Sequence, residues 1–374
     1  MTLARRLTAA FVAFVALVAA GLVAWRVLKP AEVLATASGG FPVAQVLAPG
    51  VTGKTAGAPL IVDERIRVFA AKRQVRADGP VSAKTSYTPR WSFRRWPQQL
   101  TGVVAIGTTV VSRWSDGELV AVDARSGAIV WRAAGPAAGA YSGLRTGAST
   151  VWAPPGLFTA GSRVLVAGAG QVVAFAAGIR LWSAPACADG FTTAGGQYVC
   201  PAGAYDVSSG AAVRSWPSGP FTALGCGVAH SGCEGFRDGA GRGWLTTSAL
   251  PQRTPALDAP DTTVAAGVPL TVTGPTVASA HWRWTDPAAG AVQVLGGAGR
   301  KAYLLTADRR LVIVDAATGA ATSFVLAVGT EATKWTPGLS QTTASYVAIE
   351  RLDNPDPNSV DHYFTVETVV IAAT

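Results

Sequence analysis

Between Ser112 and Trp131 the apolar and polar positions keep a period of two, broken twice by tight turns. Leu119, Ala121 and Asp123 alternate with Val120 and Val122, the pattern of a strand. Asp116-Gly117 predicts the first turn, because glycine takes positive φ without steric cost. Asp123-Ala124-Arg125-Ser126-Gly127 predicts the second, and Ile129-Val130-Trp131 opens the next strand. The same order returns in Tyr303–Gly319, with Asp315 and Gly319 at the turn and Phe324 where a tryptophan would stand. Weaker copies lie between: Arg163–Trp182 has Ala176 in place of the aspartate, and Gln197–Trp216 keeps Asp206, Gly210 and Trp216. Cys233–Trp244 turns around Asp238-Gly239, and Trp282–Val294 carries Asp286 to Gly290. Ile66–Phe69 and Arg90–Arg94 read as further strands, with Asp78-Gly79-Pro80 as a turn.

A hairpin unit recurring at about 40 residues predicts a radial, bladed ring. The expected fold is all-β: a β-propeller of about seven four-stranded blades, within a range of six to eight, over residues 60–374. The final strands, Ala344–Arg351 and Tyr363–Ala373, are expected to pair with N-terminal strands and close the ring.

The N-terminus breaks this pattern. Leu7–Trp25 is an uncharged run of 19 residues, near the ~20 that cross a bilayer as a helix. Arg5 and Arg6 precede it, and Arg26 and Lys29 follow, which favours an inside N-terminus. The expected layout is a short cytoplasmic N-terminus (1–6), a transmembrane anchor (7–28), a Pro/Gly/Ala-rich linker (29–59) and an extracytoplasmic propeller (60–374). A cleaved signal peptide is the alternative to the anchor: Ala35-Thr36-Ala37 has the small-residue form of a cleavage site, ten residues past Trp25. No cysteine stands near the segment to carry a lipid.

Cys187, Cys200, Cys226 and Cys233 fit an oxidising compartment and predict disulfides. Three connectivities exist; the local one, Cys187–Cys200 with Cys226–Cys233, suits hairpin ends in neighbouring blades. A metal set of Cys226, His230 and Cys233 lacks a fourth ligand at zinc spacing.

The 374 residues include 42 Gly and 23 Pro, in keeping with many short strands and turns. Net charge is +9, with nine basic residues between Val62 and Trp96 against Asp63, Glu64 and Asp78. This excess reads as a solvated strand face or a membrane-facing rim. No nucleic-acid reading motif accompanies it. The arginine and alanine bias suggests a GC-rich bacterial genome.

The Asp123…Gly127…Trp131 and Asp315…Gly319 units resemble the pyrroloquinoline-quinone-like repeat of quinoprotein-type β-propellers. In that family the aspartate and glycine shape the turn and the tryptophan packs between blades. The resemblance therefore implies structural roles for Asp123, Gly127, Trp131, Trp182, Asp206, Gly210, Trp216, Asp286, Asp315 and Gly319. The enzymes of this fold use an adjacent cysteine pair, a calcium and a catalytic aspartate. This chain has no Cys-Cys dipeptide, so no quinone cofactor is expected.

Other chemistry is equally thin. His230, His281 and His362 are the only histidines, none in a triad order, and no G-x-S-x-G elbow, P-loop or dinucleotide fingerprint occurs. Asp353–His362 is rich in oxygen ligands but lacks calcium-loop spacing. No catalytic, cofactor or metal residue is assigned. The expected function is a membrane-anchored scaffold in the bacterial cell envelope, held by its N-terminal helix and binding envelope proteins. One alternative is a glycan or small-ligand module, with Trp91, Trp96, Trp114 and Trp335 stacking on sugars. Another is a quinone-dependent or glycan-cleaving enzyme with its site in the channel.

Overall fold

The computed structural model describes residues 2–28, 31–41, 43, 45–80, 89–228, 230–327, 330–331 and 334–374. Its strands form eight sheets arranged as the blades of one ring. The count is eight rather than seven, within the expected range. A unit of about 40 residues in fact fits nearly eight times into residues 60–374; blades 4 and 6 are shorter than that unit, and the long connection after blade 2 offsets them.

Blade 2 carries the opening repeat, with strands Leu100–Ile106, Thr109–Trp114, Glu118–Asp123 and Ile129–Ala134 in sequential antiparallel order. Blades 3, 6 and 7 follow the same plan over residues 157–185, 262–285 and 292–325. Blade 4 has three strands in residues 191–206, extended by one bridge between Tyr205 and Ala212. Blade 5 spans residues 222–253. Apolar clusters fill the joint between each blade and the next, so the core is a ring of interfaces rather than one central mass. Each fully buried Val, Leu, Ile or Phe there contributes about 1.5–3 kcal/mol.

Blade 8 closes the circle. Its strands Thr336–Thr342, Tyr346–Leu352 and Val369–Ala373 come from the C-terminal end, and its outermost strand is Gly50–Thr55. Inside the ring, the Gln341 amide joins blade 8 to blade 1: its Oε1 accepts from Ile61 N at 2.8 Å and its Nε2 donates to Ile61 O at 3.2 Å. The side chain thus acts as a one-residue strand partner.

Residues 29–59 depart from the expected linker. Ala31–Ala35 pairs with Trp91–Trp96 as a fifth strand on blade 1, and Gly50–Thr55 belongs to blade 8. Both are outer strands held by backbone pairing, so neither needs the alternation that marks a half-buried strand. Asp78 also departs from expectation. It lies within the strand Gln74–Pro80 and is fully buried, paired to the equally buried Arg67 at 3.1 Å. The basic run is not simply a solvated face. Arg67 is buried, Arg95 meets Glu32, Asp116 and Glu118, and Arg65 binds Asp63.

Thr2–Leu28 is a helix of 27 residues. The helix side chains described are those of residues 11–23 and 25–26, all exposed, and among the described residues no stretch long and apolar enough to cross a membrane is complete.

Candidate functional site

The repeated aspartates build one device three times. Asp123 Oδ1 accepts from Arg125 N, Ser126 N and Ser126 Oγ at 3.1, 2.8 and 2.8 Å. Asp206 Oδ1 accepts from the amides and hydroxyls of Ser208 and Ser209, and Asp315 Oδ1 from Ala317 N, Thr318 N and Thr318 Oγ1. In each turn the glycine amide donates to the aspartate carbonyl at 2.8 Å. The Ser208 hydroxyl, with Ser209 behind it, holds the Asp206 carboxyl below its ordinary range, and the Thr318 amide does the same for Asp315.

The glycines leave room for a tryptophan from the preceding blade. A Cβ on Gly127 would lie 2.4 Å from Trp91 Cβ, and one on Gly210 or Gly319 would meet Trp182 or Trp282 equally closely. The same indoles donate onward: Trp91 Nε1 to Ala124 O at 2.7 Å, Trp182 to Val207 O at 2.9 Å and Trp282 to Ala316 O at 2.8 Å. Trp131 reaches the blade 3 turn, lying under Gly178. Trp91 and Trp282, not singled out for this role by the sequence, therefore complete the series. The available signal was position, since each stands at the start of a blade's outer strand.

Trp216 packs in the joint of blades 4 and 5, stacking on Phe236 with ring centroids 5.7 Å apart. One repeat residue falls elsewhere. Asp286 lies after the outer strand of blade 6, where it accepts from Ala288 N and pairs with Arg310 of blade 7 at 2.8 Å. It is out of frame with Asp123; the turn it was matched to is capped by Ser279 instead. Both local disulfides form, Cys187–Cys200 and Cys226–Cys233. Trp91, Trp114 and Trp335 are buried in the joints, which removes them as sugar platforms, and Trp96 lies half-buried beneath Arg73. Within the Asp353–His362 loop, Asn354 Oδ1 accepts from Asp356 N, and Asp356 Oδ1 from Asn358 N.

Two segments of the chain pack against the ends of the inner strands. On one face the connection from blade 2 to blade 3 crosses over blades 1 and 8. Thr146 O accepts from Ala58 N, Thr146 Oγ1 donates to Glu350 Oε1 at 2.6 Å, and Trp152 Nε1 donates to Pro59 O at 2.9 Å. The short helix Ala148–Val151 and Trp152 are buried there. Arg113 pins this connection, donating to the carbonyls of Pro136, Ala137, Pro155, Gly156 and Ala167, and desolvation pushes its pKa down to about 10.

On the other face the blade 5 segment Gly225–Glu234, tied by Cys226–Cys233, folds inward. Thr192 N donates to His230 O and Cys233 N to Thr192 O, while Ser231 Oγ accepts from Thr159 N of blade 3. Val228 reaches the cluster shared by blades 1, 2 and 8. Burial pushes the Glu234 carboxyl up, and Gly267 N of blade 6 donates to it.

Beside the disulfide-tied loop lies a recess of about 190 Å³, lined by Leu60, Ile61, Val62, Val104, Val228 and Gln341 among others. Its carboxylate, Asp63, is held by Arg125 and Arg65 well below the usual range. Among the described residues no group of His, Cys, Asp and Glu is placed to hold a metal ion. Among the described residues the arrangement is an apolar recess with an ion cluster of Asp63, Arg65 and Arg125 at its edge.

No protein-family model matches the chain, and no curated protein matches it. Solved structures do. BamB from Moraxella catarrhalis is 13% identical, with a TM-score of 0.42 over 89% of this chain and 100% of its own. The computationally designed Ika8 protein is 12% identical, with a TM-score of 0.44 over 88% of this chain and 98% of its own. A europium-containing methanol dehydrogenase is 13% identical, with a TM-score of 0.38 over 88% of this chain and 93% of its own. The eight-bladed ring rests on the chain's own strand pairing.

Proposed function

We propose that this chain is a membrane-anchored propeller displayed outside the cytoplasmic membrane, acting as a non-catalytic scaffold that binds envelope proteins. The carrying observation is the narrowed channel. The Trp152 connection covers one end of the inner strands and the disulfide-tied loop reaches in at the other, leaving a recess of about 190 Å³. Recognition is left to the outer faces and rims, where turns stand on a rigid ring.

Two further observations support the location. Phe11, Val12, Leu17 and Val23 of the N-terminal helix are exposed apolar side chains that the 3.6-residue turn distributes round the axis rather than along one stripe. A helix apolar all round requires an apolar surrounding, and a bilayer supplies it. Two disulfides are stable outside the reducing cytoplasm.

The test uses the full chain with a C-terminal tag in cells. The tag should be digested by protease added to spheroplasts, the protein should stay with carbonate-washed membranes, and one envelope protein should crosslink to it and bind it again after purification. Turnover of a quinone, alcohol or glycan substrate by the purified chain, without such a partner, would overturn the scaffold assignment.

A further inference from the structure

We propose that the corner of blade 1 where the chain enters the ring is a lipid-contact surface. Lys72, Arg73, Arg94 and Trp96 there rest on anionic phospholipid headgroups of the membrane that the N-terminal helix enters. The inference rests on the anchor proposed above and adds an orientation to it.

Connectivity is the first support. The helix ends at Leu28, and the strand that begins at Ala31 is already locked to blade 1. Three Cα steps of about 3.8 Å keep the two within about 11 Å. The ring is therefore held close to the helix end rather than swinging on a long linker.

Register fixes which corner is held. Ala31 pairs with Trp96 and Val33 with Arg94. The turn at Lys72-Arg73 is bound to the same corner: Arg73 O accepts from Arg95 N at 3.2 Å and Lys72 O from Leu100 N at 2.9 Å. The Arg73 guanidinium lies 3.8 Å from the centroid of the Trp96 ring.

Charge supplies the third support. Lys72 and Arg94 are exposed. The acids nearby, Glu32, Asp116 and Glu118, are already held by Arg95 and Arg132, so the surplus at this corner is positive. Indole rings beside basic groups suit the membrane–water boundary, where the ring meets the acyl edge and the cation meets phosphate. Trp25 and Arg26 repeat that pairing at the end of the helix. Blade 5 stands opposite blade 1 in the ring of eight, so this contact lifts its rim away from the bilayer.

Labelling tests the orientation directly. The native cysteines are all in disulfides, so one added cysteine takes a fluorophore selectively. Ala71→Cys marks the blade 1 corner, and Ala240→Cys marks the matching turn of blade 5; both positions are exposed. The labelled full chain is reconstituted in phosphatidylcholine vesicles with or without about one-third phosphatidylglycerol, carrying a headgroup quencher. The A71C label should lose most of its emission in the anionic vesicles and less in the neutral ones, while the A240C label keeps its emission. Adding Lys72→Glu and Arg73→Glu to A71C should restore the emission, with unchanged near-UV circular dichroism and unchanged flotation with the vesicles. An unquenched A71C label on floating protein overturns the lipid contact and leaves the anchor standing. Equal quenching at both sites overturns the edge-down orientation. Failure of the full chain to float overturns the anchor, and this inference with it.

Discussion

In blades 1 to 3 the four sequential strands of each sheet run four to seven residues; in blades 4 and 5 the strands run two to four. The first group is joined by docked indoles, with Trp91 on the Asp123 turn, Trp131 under Gly178 and Trp182 on the Asp206 turn. The second group holds both disulfides and an aromatic cluster on Phe236, with Trp216 and Trp244 stacked and Phe221 edge-on. Long strands bury enough side chain to specify their joints by packing. Where the ladder is too short for that, covalent and aromatic ties take its place.

The largest effect should come from the well-paired side. Trp91→Ala removes a fully buried indole and its bond to Ala124 O, with an expected cost of about 3–5 kcal/mol in denaturant unfolding. Trp91→Phe should recover much of that loss, because the ring volume returns without the donor. A cost under about 1 kcal/mol for Trp91→Ala would break the claim that docking holds these blades.

An intermediate effect is expected on the thin side. Replacing Cys187 and Cys200 together by serine removes a bridge across a separation of 13 residues, worth roughly 2–3 kcal/mol. Amide exchange should quicken in residues 187–253 and stay unchanged in blades 1 and 2. Uniform quickening around the ring would mean that the two sides are not distinct.

The smallest effect concerns a turn at the boundary. The folded Asp206 carboxyl titrates below its unfolded value, chiefly through the Ser208 hydroxyl. Its stabilisation is therefore complete above the unfolded carboxylate pKa of about 3.9 and is lost as pH falls through the lower folded value. Asp206→Asn keeps the acceptor and loses the charge. The melting temperatures of the two proteins should differ at neutral pH and converge in acid. A constant gap down to about pH 2 would rule out ionisation as the source.

The sequence carried the ring where each turn holds its own signal. Asp123 to Gly127 is legible because the cap, its amide donors and the positive-φ glycine lie within five residues. The indole filling the gap beside Gly127 is not, because Trp91 arrives from another blade. Asp78-Gly79-Pro80 looked like a turn because the neutralising Arg67 sits across the strand pair. The segments at the ends of the inner strands were hidden for the same reason. Neither Val228 nor Trp152 belongs to a repeat, and each matters only through distant blades.

The pairing of Gly50–Thr55 with Val369–Ala373 ties an early segment to a late one. During synthesis the early strand must wait, with its ladder groups open, until Val369–Ala373 has emerged. Closing so long a loop costs little more than closing a shorter one, since the entropy grows with the logarithm of length, but the search is slow. Ring closure is therefore a late event in the life of each molecule. A chain cut short before Val369 would leave two blade edges bare, one at each end of the break, both ready to pair with a neighbour.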